Sequence, residues 1–162
     1  MKFYNGFINK LTENQIFVFG SNPEGRHGAG TAKIAKDKFG AEYGNGRGPQ
    51  GQSYALPTKN LKQNYFEVSS GITYNVAGMR SISIDQIISN LKDLYSYAIE
   101  NDTKEFLIAY TYEGMNLNGY SGDEMFEMFS TIDIPENIIF NDTFKIKFDE
   151  LEKDISIQRM DI

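Results

Sequence analysis

The string "GSNPEGRHGAGT" at residues 20–31 follows directly on the apolar run Ile16, Phe17, Val18 and Phe19. Glycine-rich backbone between a strand and a helix can turn several N–H groups toward one point, and the helix start adds a positive dipole end. Those two features together make an anion site. Gly20, Ser21, Asn22, Gly25, Arg26, His27, Gly28, Ala29 and Gly30 are therefore candidate ligand contacts. Residues 25–31 carry glycines at the first and sixth places of a P-loop, but Thr31 stands where that loop needs a lysine for the terminal phosphates. The segment is also too long for the tight dinucleotide turn. A generic phosphate-binding loop remains, with plain turn geometry as the alternative.

His27 is the only histidine, so no histidine pair can hold a metal, and no carboxylate cluster lies near it in sequence. No metal and no cofactor are expected. A lone histidine here can pack, contact a ligand, or act as a general acid or base. A second segment, "GPQGQSYALPTK", carries Gln50, Gln52 and Ser53, neutral hydrogen-bonding groups that read a base or ribose or else cap a sheet edge. The third segment, "TYEGMNLNGYSGDE", contributes Gly114, Met115, Asn116, Leu117, Asn118, Gly119 and Tyr120. Its Asn116 and Asn118 would tolerate a left-handed backbone, so the loop can close over a second phosphate or ribose, or be a simple loop. Tyr112 and Tyr120 are loop tyrosines able to stack on a base, whereas the other aromatics follow core periodicity. No Ser-His-Asp order, nucleophile elbow or paired-carboxylate signature is present.

These segments need elements to hold them. "QIFVFGS" is a continuous β-branched and aromatic run, the pattern of a strand covered on both faces. Ala32, Ala35 and Phe39 fall at helical spacing with lysines between them, predicting a helix that ends at Gly40. Strands are expected at 53–58, 71–78, 105–111 and 137–142. Ser83, with Gln86 three residues on, opens the clearest helix, whose apolar face runs through Ile84, Ile87, Ile88, Leu91, Leu94, Tyr95 and Ala98. A short helix is expected from Ser121, and 145–154 reads as a solvated charged stretch. Alternating strands and helices predict an α/β domain with a mixed sheet between helices, a three-layer α/β/α arrangement. Ligands of such sheets bind at the carboxyl ends of the strands, where both glycine loops leave.

The length of 162 residues fits one domain over 1–162. A net charge of −6 and a pI near 4.8 argue against nucleic acid as a main partner, because a phosphate backbone is gripped by clustered Lys and Arg. The absence of cysteine excludes disulfides and cysteine-based zinc sites. With no apolar run long enough for a span and no signal-peptide pattern, a cytoplasmic protein with no membrane partner is expected.

On "FVFGSNPEGRHGAGTAKIAKDKFGA", "GPQGQSYALPTK" and, more loosely, "FLIAYTYEGMNLNGYSGDEMFEMF", the chain resembles the macro-domain superfamily, in particular its small bacterial and phage members. The resemblance implies a three-layer α/β/α fold with a cleft for ADP-ribose or a related ADP-ribose-containing nucleotide. It places Asn22 near the distal ribose, residues 25–30 on that ribose and a phosphate, and residues 114–120 around the diphosphate. It also implies, as an alternative, an ADP-ribosyl hydrolase. There Asn22 would orient a water for attack on the anomeric carbon, and His27 or a substrate phosphate would help proton transfer. A protein-interaction module that kept the fold without the ligand is the third possibility. The sequence departs from the family in reducing an asparagine pair to "GSN" and in carrying Asn116 where relatives tend to have glycine.

Overall fold

A computed structural model describes residues 1–160. Its centre is β2 (Gln15–Ser21), whose alternate side chains face two different layers. Phe17 and Phe19 join Ala55, the helix residues Ala32 and Ala35, and Phe39 just past that helix on one face, while Val18 joins the larger cluster on the other. All three strand side chains are at most 2% exposed, and burying each stabilises the fold by about 1.5–3 kcal/mol. A run buried on both faces needs this continuous apolar composition, which is why the strand was readable.

The six-stranded sheet adds β1 (Phe3–Tyr4), β3 (Gly48–Gln50), β4 (Ser53–Pro57), β7 (Glu105–Ile108) and β8 (Ile138–Asn141), in the order β1-β8-β7-β2-β4-β3. Every neighbouring pair is parallel except β3 with β4. Helix α1 (Gly30–Lys38) covers the Phe17/Phe19 face together with Ile8 and Leu11 from the N-terminal segment. Helices α2 (Ile84–Glu100), α3 (Gly122–Ser130) and α4 (Lys145–Met160) lie on the opposite face, around Leu91, Leu94, Phe129 and Phe148. The chain is thus a three-layer α/β/α fold on a mixed sheet.

The starts of α2 and α3 follow the expected serine-cap chemistry. The Ser83 hydroxyl accepts from the Gln86 N–H at 3.2 Å, although the Gln86 side chain turns to Asn90 instead of completing a capping box. Ser121 does form the full box with Glu124.

Two expectations are corrected. Of residues 71–78 only β6 (Ile72–Tyr74) is strand, and it pairs with β5 (Tyr65–Glu67) in a separate two-stranded sheet. That hairpin is held by polar contacts: buried Glu67 accepts from the Arg47 guanidinium at 2.8 Å and from the Tyr74 hydroxyl at 3.2 Å. The stretch 145–154 is helical, because Phe148 anchors it against Phe3, Phe126 and Phe140 while Lys145 pairs with Asp149 one turn on.

Candidate functional site

Because β1, β8, β7, β2 and β4 are parallel, their carboxyl ends share one edge of the sheet. The chain leaves β2 through α1 on one face toward β4, and leaves β7 through α3 on the other face toward β8. Connections that diverge in this way open a crevice between the strand ends. A cleft of about 550 Å³ lies there. Its walls are residues 6–9 after β1, Gly20 and Ser21 at the end of β2 with Asn22 and Arg26 after it, Thr58, Lys59 and Leu61 after β4, and residues 109–111 and 115–118 after β7. The first turn of α1 supplies Ala29, Gly30, Thr31 and Ala32.

That first turn is electrostatically distinct. Ala29 occupies the N-cap and offers no side-chain acceptor, and no acidic residue stands in the first turn. The first N–H groups of a helix have no intrahelical partners, so here they are left to whatever enters the cleft. Gly30 carries a φ of +59°, and a Cβ there would meet Leu117 Cδ1 at 3.0 Å. Glycine lets the backbone turn into the helix with the later loop pressed against it. In the cleft lining Arg26, Lys38 and Lys59 stand against the carboxylate of Glu113, with Glu24 beside the lining pairing Arg26 at 3.7 Å. A chain of net charge −6 has therefore gathered positive charge at one place.

The floor is made by Tyr110, whose hydroxyl lies 2.9 Å from Thr58 Oγ1 and directly against Gly20. Any Cβ at Gly20 would collide with that hydroxyl. Burial pushes the Tyr110 phenol up to about 12, against the pull of hydrogen bonds from Thr58 and Asn118, so it stays a neutral donor-acceptor at the bottom of the site.

The structure brings together Gly20, Ser21, Asn22, Arg26, Ala29, Gly30, Met115, Asn116, Leu117 and Asn118, all lining the cleft. It commits several of their polar groups elsewhere. Asn22 accepts from the Arg26 N–H at 2.9 Å and donates to the Arg26 carbonyl at 3.0 Å, so both ends of its amide close the 22–26 turn. The Ser21 hydroxyl donates to the Gly46 carbonyl. Asn118 accepts from the Tyr120 N–H at 2.9 Å, and Asn116 donates to the Tyr120 carbonyl at the same distance. Positive φ in that loop belongs to Gly114 and Gly119, not to the asparagines.

Other expected contacts lie off the cleft lining. His27 is fully buried behind Phe19 in an edge-on contact, with Nε2 2.9 Å from the Asn45 carbonyl and 3.3 Å from Gln50 Oε1. Two oxygens at Nε2 assign the proton to that nitrogen. The ring packs and fastens the 44–50 segment, the packing role that the sequence left open beside a ligand contact and acid-base chemistry. Gln50 belongs to the same network, accepting from the Glu42 N–H at 2.8 Å. Gln52 donates to the Thr12 and Gln15 carbonyls at the opposite end of β2, and Ser53 donates to the Phe39 carbonyl, so both serve the sheet edge.

Gly25 meets the backbone of Asn45, and a Cβ on Gly46 would strike the Asn22 carbonyl. These two glycines let segments 22–25 and 44–46 pack backbone to backbone. Gly28 is exposed, Gly114 touches nothing nearby, and Gly119 is pressed against Met79 and Arg80. Tyr120 buries its ring under Arg80 and donates to the Ile82 carbonyl at 2.6 Å, and Tyr112 donates to Asp123 at 2.7 Å and packs on Phe144. Neither tyrosine faces the cleft as a base platform.

Sequence reasoning missed Phe7, Thr58, Lys59 and Tyr110. Lys59 and Thr58 closed a segment that had been recognised, and Tyr110 looked like one more core aromatic. Phe7 follows a strand of two residues, too short to be seen by periodicity. Among the described residues no three His, Asp or Glu side chains converge as a metal site, and no helix is long and apolar enough to cross a membrane. No protein-family model matches the sequence, and no curated protein is significantly similar to it.

Proposed function

We propose that the chain is a macro-like domain that binds ADP-ribose or a related ADP-ribose-containing nucleotide in the cleft at the strand carboxyl ends. The observation that carries this is the uncapped, acid-free N-terminus of α1 opening into the middle of the cleft. Such a terminus favours a phosphate or diphosphate. The shape of the cleft supports a long ligand. Its walls run from the loop after β1 to the loop after β4, four strand spacings apart, which is about 19 Å at roughly 4.8 Å per spacing. That leaves room for a ring at one end, a diphosphate at the helix and a sugar at the other. The cavity volume of about 550 Å³ falls in the ordinary range for small-molecule sites. The sequence resemblance to macro domains points the same way.

Binding is favoured over hydrolysis because the two side chains assigned to catalysis are engaged in the fold. Asn22 is held in one orientation by a bond from each end of its amide to Arg26, and His27 lies behind Phe19 off the lining. The test is calorimetric titration with ADP-ribose, AMP and NAD beside thermal melts. ADP-ribose is expected to release or absorb heat and to raise the melting temperature, since a ligand of the folded state stabilises it by mass action. Neither heat nor a thermal shift at millimolar ADP-ribose would leave the protein-interaction module in its place.

A further inference from the structure

The segment after β1 is fixed on both sides of one free side chain. Tyr4 donates its hydroxyl to the Ile108 carbonyl at 2.7 Å, Asn141 donates its amide to the Gly6 carbonyl at 3.2 Å, and Ile8 packs into the cluster that holds Ala32 and Ala35. Between these anchors Phe7 is 90% exposed, yet it lines the cleft. Scattered apolar side chains on a surface need no explanation, but a phenyl ring held by fixed backbone at the lip of a concave site offers one whole face to a ligand. The two loop tyrosines are outside the cleft lining, Tyr112 bonded to Asp123 and Tyr120 to the Ile82 carbonyl.

We propose that Phe7 is the platform on which the base of the bound nucleotide stacks, and that the site accepts nucleoside diphosphates and their sugar conjugates whatever the base. This rests on the nucleotide-binding role proposed above. Stacking tolerates any base because every base has a π face. Discrimination would need a fixed, one-sided polar group at the ring edge. The polar side chains that this segment and the last turn of α1 bring to the cleft are Asn9 and Lys38. Asn9 is exposed with no side-chain hydrogen bond fixing its amide, so donor and acceptor can exchange places, and a lysine ammonium rides on a flexible stem, so neither holds a single pattern in place.

The chain has no tryptophan, so Phe7→Trp places a single indole at the proposed platform. Wild type, Phe7→Ala and Phe7→Trp are titrated by calorimetry with ADP-ribose, ADP, GDP, UDP and inorganic pyrophosphate, and the tryptophan variant also by fluorescence. Wild type is expected to bind the three nucleoside diphosphates within about tenfold of one another, and Phe7→Ala to weaken each by about tenfold or more while leaving pyrophosphate unchanged. Indole emission should respond to the nucleotides and stay constant with pyrophosphate. The alanine variant should melt with wild type, because so exposed a ring contributes little to the core. Phe7→Ala binding ADP as well as wild type would overturn the platform while leaving the nucleotide site standing. A preference for ADP over GDP beyond about a hundredfold would overturn base tolerance. No heat from ADP-ribose or any nucleoside diphosphate would overturn both this proposal and the one it rests on.

Discussion

Thr31→Glu separates the charge of the site from the stability of the fold. Thr31 lies in the first turn of α1, lines the cleft and is partly exposed. A glutamate there sits near the positive end of the helix dipole, where it contributes about 0.3–1 kcal/mol, and it is also the better helix former. The variant should therefore melt at or slightly above the wild-type temperature. Binding should move the other way. At about 5 Å in a fully aqueous dielectric, two unit charges repel by roughly 0.8 kcal/mol, and a doubly charged diphosphate about doubles that. Partial desolvation in the cleft only enlarges it. A loss of roughly 1.7 kcal/mol is already more than tenfold in affinity.

Thr31→Gln has nearly the same shape without the charge and serves as the control, so the Glu-to-Gln gap reads the electrostatic part alone. That gap should shrink as salt rises from 0.1 to 1 M, over which the Debye length falls from about 10 to 3 Å. Calorimetry gives the affinities and circular dichroism the melts. A Thr31→Glu protein that melts normally and binds ADP-ribose as tightly as Thr31→Gln would remove the phosphate from the start of α1. Gly30 is a poorer place for the same test. Its φ of +59° and its contact with Leu117 mean that a glutamate there disturbs the backbone as well as the charge.

Gly46→Ala should destabilise by about 1–3 kcal/mol or more in urea titrations, because its Cβ would sit 2.1 Å from the Asn22 carbonyl, and an unchanged midpoint would show that the 22–25 and 44–46 segments separate freely. Asn22→Ala removes both hydrogen bonds to the Arg26 backbone and should lower stability by about 1–3 kcal/mol together with affinity, whereas a variant with a wild-type melt would mean that the amide is free for ligand. The Arg80 guanidinium and the Ser121 N–H hold the Glu124 carboxyl at about 2, below its ordinary 4.5. A depressed carboxylate contributes stability that is present above the unfolded value and lost as pH falls toward 2. Arg80→Gln should accordingly show a smaller drop in urea midpoint between pH 6 and pH 2.5 than wild type, and equal drops would count against that pairing.

What the sequence disclosed, and what it hid, follows from the range over which each feature is decided. Strand β2 and helix α2 are decided locally, by a seven-residue run whose Phe17, Val18 and Phe19 are buried on both faces and by an apolar stripe behind a serine cap. Helix α4 is not, since its buried side chain is Phe148 alone and its partners lie on β1, β8 and α3. The glycine-rich region was legible as a place where backbone comes close to something. Composition could not say what that something is. Around Gly25 and Gly46 it is the chain itself, and at Gly20 it is a tyrosine hydroxyl supplied from β7's far side of the sequence. His27 drew attention by its rarity, but a ring fully enclosed behind Phe19 is a fact of packing that spacing does not carry.

The two groups of glycine contacts nonetheless have one consequence. With 22–25 clasped by 44–46, and His27 pinning the same segments from behind, the chain is steered into α1 along a fixed path. Ala29 then arrives at the N-cap with no acceptor, where serine caps α2 and α3. Gly25, His27, Asn45 and Gly46, none of them in the cleft lining, thus help to aim its one uncapped helix end into it. For that reason substitutions at Gly46 and His27 belong in the same set of binding measurements as Thr31: they should lower stability and weaken binding by displacing the start of α1, while Thr31→Glu weakens binding with no loss of stability at all.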